Sequence, residues 1–150
     1  MLRGVMLFGV MVFLGSCRHT RPEAEPTPIQ AGTETKWYSA TSNNELKLAE
    51  GVVVTDILEK SGTSVGVILR ANDGETTSIK CDCIGACSGN CIWERVDDDS
   101  IFINTFRCTG SCTSSEQTAC GACNILSVQG QRGLEGIIVR PAEPPPAQSP

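Results

Sequence analysis

The apolar pattern divides the chain into stretches of different character. From Val5 to Leu14 every residue is apolar or glycine, without alternation. Between Trp37 and Arg140, short apolar runs are separated by clusters of Gly, Asn, Asp and Ser. This middle stretch reads as strands. Val52-Val53-Val54 is β-branched throughout, which suits a pleated surface. Residues 64–70 (SVGVILR) form a second strand segment, followed by Ala71-Asn72-Asp73-Gly74. An Asp-Gly pair between two such segments signals a hairpin, whose return arm is residues 75–83 (ETTSIKCDC). A second hairpin has arms at residues 91–96 and 101–108 around Asp97-Asp98-Asp99-Ser100. Residues 136–140 make a final strand. Residues 44–60 are ambiguous. Asn44 can cap a short helix through Leu46, Lys47, Leu48 and Ala49, which Gly51 and the valines would stop. The pattern predicts a mainly β fold built of hairpins.

Proline sets the boundaries. Pro22, Pro26 and Pro28 fall within residues 18–36, and Pro141, Pro144, Pro145, Pro146 and Pro150 within the last ten. None lies between Trp37 and Arg140. Both Pro-rich stretches are poor in large apolar side chains and bury too little surface to fold. They read as a disordered tether (17–36) and an extended Pro-rich tail (141–150). Residues 37–140 then form one small domain with few aromatics: Trp37, Tyr38, Trp93, Phe102 and Phe106.

The first apolar run is too short to cross a bilayer as a helix, which takes ~20 residues. It matches the apolar region of a signal peptide, preceded here by Arg3 and followed by the small residues Gly15 and Ser16. The ending Leu14-Gly15-Ser16-Cys17 resembles the lipobox of bacterial lipoproteins. That resemblance covers residues 1–17 only. It implies removal of residues 1–16, a diacylglycerol on the Cys17 sulfur and an acyl chain, such as palmitate, on the new amino group. Several acyl chains hold a protein on a membrane far more firmly than one. Arg18 stands where an Asp often retains such proteins on the inner membrane, so the resemblance points to the outer membrane where a cell has one.

Charge narrows the partners. The chain carries a formal charge of −5, and loss of Arg3 with the leader makes the remainder one unit more negative. That disfavours nucleic acid, whose binding rests on Lys and Arg neutralising phosphates. The expected contacts are the membrane, through lipid on Cys17, and an envelope protein or surface ligand.

Nine cysteines are the strongest chemical signal. With Cys17 assigned to lipid, eight remain: Cys81, Cys83, Cys87, Cys91, Cys108, Cys112, Cys120 and Cys123. Export brings them into an oxidising compartment, where an even number reads as a disulfide framework that staples a thin core. Connectivity stays open, since eight cysteines allow 105 pairings. Cys81 and Cys83, if on one strand, face the same side and bridge to different partners. The local expectation is that Cys87 or Cys91 pairs with Cys108 or Cys112 across the base of the second hairpin.

Two other readings use the same residues. Cys87-x3-Cys91 and Cys108-x3-Cys112 flank a hairpin as in a zinc ribbon, so Cys87, Cys91, Cys108 and Cys112 are an alternative ligand set for Zn or Cu. Compartment places disulfides, with no cofactor, ahead of that reading. The Cys120-Gly-Ala-Cys123 pair suits a thiol oxidoreductase only at a helix N-terminus, where a thiol pKa is lowered, and the residues that follow are too few for a convincing helix. No catalytic constellation is evident. His19 is the only histidine and lies in the tether, which removes the Ser-His and Cys-His systems. Asp97-Asp98-Asp99 lacks the spaced ligands of a calcium loop. Gly130-Gln-Arg-Gly133 lacks the Lys-Ser/Thr of a phosphate loop. The sequence thus predicts a non-enzymatic, lipid-anchored protein of the bacterial envelope.

Overall fold

The computed structural model describes residues 24–96, 104–114, 119–130 and 132–143. The expected signal peptide (1–16), Cys17, His19, the expected turn at Asp97–Ser100 and residues 101–103 of the second hairpin lie outside them. The described residues contain no helix. They form β1 (Thr27–Pro28), β2 (Tyr38–Ser42), β3 (Glu45–Leu48), β4 (Val53–Lys60), β5 (Thr63–Arg70) and β6 (Thr76–Asp82). β7 (Ser88–Val96), β8 (Thr105–Thr113), β9 (Ala119–Ala122), β10 (Asn124–Val128) and β11 (Ile138–Pro141) follow. Two antiparallel sheets result. The first runs β1-β10-β6-β5-β4-β11, and the second runs β2-β3-β8-β7. β9 continues the second sheet beside the far half of β8, at Ser111–Thr113, while β3 takes the near half at Thr105–Arg107.

The two-residue period decides which side chains meet. Val67 and Leu69 of β5, and Ile79 and Cys81 of β6, are buried and sit on one face of the first sheet. They oppose Leu46 and Leu48 of β3, Trp93 of β7, and Phe106 and Cys108 of β8, which join the same core. The Trp93 and Phe106 rings stack with centroids 5.4 Å apart. The first hairpin forms where Asp-Gly predicts it. Its loop is a three-residue one: Ala71 N–H donates to the Glu75 carbonyl and Gly74 N–H to the Ala71 carbonyl. Gly74 takes φ +85°, the left-handed conformation this loop type needs.

Two expectations change. Residues 45–48 are strand rather than helix, because Leu46 and Leu48 are both buried while Lys47 between them is exposed. A two-residue period is satisfied only by a strand, and β3 gains β2 and β8 as partners. The ordered domain also begins before Trp37. Thr27 and Pro28 pair with Ser127 and Leu126 on the edge of the first sheet. There a proline costs no ladder hydrogen bond. Ile29 is buried and its N–H donates to the Ile125 carbonyl. Lys36 is held on the first hairpin's turn by Asp73, at 2.7 Å, and by Glu75. Residues 24–36 are therefore part of the fold, not of a tether. At the other end Pro141 closes β11 opposite Asp56, and Ala142 N–H reaches the Thr55 carbonyl.

The outer face of the first sheet carries one buried cation. Lys80 stands in a row with Leu58, Gly66 and Leu126, in register across β4, β5, β6 and β10. Its Nζ donates to Asp82 Oδ2 at 2.7 Å and to the Gly133 carbonyl at 2.9 Å. A buried ammonium needs such partners, and here they fasten the segment before β11 onto the sheet.

Candidate functional site

Strand parity places the cysteines. Cys81 and Cys83, two residues apart at the end of β6, both point between the sheets, as their spacing predicts. Cys108 and Cys112 on β8 are four apart and share the inward face, with Gly110 between them. Cys91 and Trp93 supply the inward face of β7. Cys81 bonds to Cys108 and Cys83 to Cys112, with Cα atoms 5.3 and 5.7 Å apart. These two bridges are successive rungs from the first sheet to the second. Cys91 bonds to Cys123, in the link between β9 and β10, and Cys87 bonds to Cys120 in β9. The connectivity joins first to fifth, second to sixth, third to seventh and fourth to eighth of the eight.

The pairing expected across the hairpin base does not occur, for a reason visible in the register. Cys91 lies directly opposite Gly110, between Cys108 and Cys112 rather than facing either. Cys87 precedes β7 altogether. Neither has a cysteine across the ladder, so each bridge leaves the hairpin. The ligand set Cys87, Cys91, Cys108 and Cys112 is likewise not the set that converges. Cys87 and Cys108 are drawn off to Cys120 and Cys81.

A different four meet. The Sγ atoms of Cys83, Cys91, Cys112 and Cys123 all lie within 4.8 Å of one another, and all four residues are buried. Cys83 Sγ is 3.7 Å from Cys91 Sγ, Cys91 Sγ is 3.9 Å from Cys112 Sγ, and Cys112 Sγ is 3.8 Å from Cys123 Sγ. Two disulfides are thus packed side by side. Gly110 makes the room. It takes φ +125°, and a Cβ there would stand 3.0 Å from Cys123 Sγ and 2.1 Å from the Asn90 carbonyl oxygen. The Cys-x-Cys parity at 81 and 83 is the only sequence signal that touches this arrangement. The roles of Cys123 and Gly110 depend on how the two sheets face each other.

Cys120 and Cys123 are not a redox couple with each other, since each bonds elsewhere. Cys120 sits in a strand rather than at a helix start, so the usual source of a lowered thiol pKa is missing there.

One groove opens at the edge of the core, with a volume of about 490 Å³. Val52, Val54, Ile57, Val67, Trp93 and Phe106 line it. Among the described residues the buried Trp93 indole N–H has no acceptor, although an indole N–H usually finds one when buried. Surface charge is paired around the second sheet. Arg107 donates to Glu45 Oε2 at 2.9 Å and 2.6 Å. That guanidinium, with the Thr41 hydroxyl, holds the Glu45 carboxyl below its ordinary pKa.

No protein-family model matches this chain, and no curated protein or solved structure matches it significantly.

Proposed function

We propose that the chain is a lipid-anchored protein of the bacterial envelope. Its exported part is a disulfide-stapled β domain with a non-enzymatic binding or structural role. One observation carries the reading. The four bridges consume all eight cysteines from Cys81 to Cys123, so Cys17 has no cysteine left to pair with in its own chain. It stands at the end of Leu14-Gly15-Ser16-Cys17, where lipidation gives it a use. The bridges also support export, since disulfides form and persist outside the reducing cytosol. Arg18 after the anchor supports sorting to an outer membrane. The groove beside Trp93 supports the binding role, being concave, mostly apolar and within the usual range of ligand-site volumes.

Mass spectrometry of the protein from a bacterial membrane fraction tests the anchor. The expected species begins at Cys17 and carries a diacylglyceryl group, an N-acyl chain and four disulfides. Cys17→Ser should move the protein from the membrane to the soluble fraction. An N-terminus elsewhere without acylation, or a Cys17→Ser protein that stays membrane-bound, would overturn the reading.

A further inference from the structure

We infer that Cys83, Cys91, Cys112 and Cys123 form a redox-gated tetrathiolate site for Zn²⁺. The site is closed while the two disulfides stand and opens when a dithiol reduces them. It is independent of the lipid anchor.

The argument is geometric. Zinc held by four thiolates has Zn–S of ~2.3 Å, which places neighbouring sulfurs of a tetrahedron ~3.8 Å apart. Three of the six sulfur–sulfur edges already have that length, at 3.7, 3.8 and 3.9 Å. A fourth, Cys83 to Cys123, is no longer than 4.8 Å. The remaining two edges are the bonds Cys83–Cys112 and Cys91–Cys123. Cleaving a bond of ~2.05 Å and opening it to ~3.8 Å moves each sulfur by about 0.9 Å. A side-chain rotation of roughly 30° achieves that, with the backbone in place. The ligands come from four separate places: the end of β6, β7, β8 and the β9–β10 link. No other body cysteine belongs to this cluster. Cys81, Cys87, Cys108 and Cys120 lie outside it and supply no ligand.

The chemistry balances. Each disulfide takes two electrons and two protons from one dithiol, which becomes a cyclic disulfide. Two dithiols therefore give four thiols. Binding of one Zn²⁺ by four thiolates then releases four protons to solvent. Because the ligands are buried and number four, no position is left for water, and the site suits metal storage or structural gating rather than hydrolysis.

The test uses the full chain carrying Cys17→Ser, so that no ninth thiol competes. The protein is reduced with excess dithiol, freed of it without oxygen, and titrated with Co²⁺ and then Zn²⁺. One Co²⁺ per chain should bind with the visible bands of a tetrahedral tetrathiolate, and Zn²⁺ should displace it. The oxidised chain should show no such bands. Adding Cys91→Ser and Cys123→Ser should weaken the metal by at least ~100-fold. Adding Cys87→Ser and Cys120→Ser should leave the spectrum and stoichiometry unchanged. Circular dichroism confirms that each variant keeps its strands, and Cys83→Ser with Cys112→Ser replaces any that does not. The inference falls if the reduced chain binds no stoichiometric tetrahedral Co²⁺, if the oxidised chain gives the same bands, or if Cys91→Ser with Cys123→Ser retains them.

Discussion

Removing the Cys87–Cys120 bridge as Cys87→Ala/Cys120→Ala should cost less than its span suggests, and less than removing Cys81–Cys108 in the same way. The two bridges join residues 33 and 27 apart. Taken alone, closing loops of those lengths would contribute ~3.8 and ~3.6 kcal/mol, with the Cys87–Cys120 bridge the larger. Neither acts alone. Cys91–Cys123 already holds the chain next to Cys87–Cys120, so that bridge closes a ring of only about nine residues, 87–91 and 120–123. Cys83–Cys112 leaves about eight for Cys81–Cys108, residues 81–83 and 108–112. Rings of that size contribute ~2.5 kcal/mol each. Burial then separates the two. Cys81 and Cys108 are 3% and 1% exposed, so loss of their sulfurs leaves a void of about 40 Å³, or ~1 kcal/mol at ~24 cal/mol per Å³. Cys87 and Cys120 are only partly buried and leave no closed void. The expected losses are therefore ~2.5 kcal/mol for Cys87→Ala/Cys120→Ala and ~3.5 kcal/mol for Cys81→Ala/Cys108→Ala. Guanidinium unfolding at 25 °C without reductant, with the slope held common, measures both. A loss of ~3.8 kcal/mol or more for the first variant, or a reversed order, would refute the account of interlocked rings.

Three further outcomes follow from the core, the close packing at Gly110 in β8 and the surface charges. Leu69→Ala, at a fully buried position of β5, should destabilise by ~3–5 kcal/mol in the same unfolding assay. Gly110→Ala should lose at least ~2 kcal/mol, because a Cβ at φ +125° meets the Asn90 carbonyl and Cys123 Sγ; thiol titration of the unfolded protein should also reveal incompletely formed Cys91–Cys123. The depressed pKa of Glu45, due first to the Arg107 hydrogen bond, and that of Asp73, due first to Lys36, fix the sign of an acid effect. Their stabilisation is complete above the ordinary carboxylate range and is lost as pH falls through the lower folded values. Arg107→Gln should flatten the acid limb of a stability-versus-pH curve, and an unchanged limb would remove Glu45 from the explanation.

What could be read from the sequence followed the strength of local signals. The β5–β6 hairpin was legible because Asp73-Gly74 separates two strand-forming runs. The β7–β8 arms were legible from Ile92, Trp93 and Phe106. The mainly β class followed from the short strand-forming runs between turn residues, and the disulfides from an even count of eight cysteines in a chain expected to be exported. β2 (Tyr38–Ser42) and β9 (Ala119–Ala122) were not legible, since their small and polar residues are strand only because β3 and β8 pair with them. Thr27–Pro28 was hidden by its proline, which an edge position tolerates. The cysteine partners were not legible because sequence gives the parity of one strand and not the register between two sheets. The hairpin-base pairing failed on one such detail, the placing of Gly110 rather than a cysteine opposite Cys91.

The order of the bridges also shapes how the protein is made. All four partners of the segment 81–91 lie in the segment 108–123, and no bridge spans fewer than 27 residues. If exported as proposed, the chain would thread out of the cytoplasm from its N-terminus and present Cys81, Cys83, Cys87 and Cys91 before any correct partner had emerged. Those four are close neighbours, and short loops close more readily than long ones. An oxidant that joins cysteines as they arrive would therefore trap them with one another. Under the proposed export, maturation of this domain would depend on exchange that undoes such early bonds, and its yield would be set by disulfide isomerisation and not by oxidation alone.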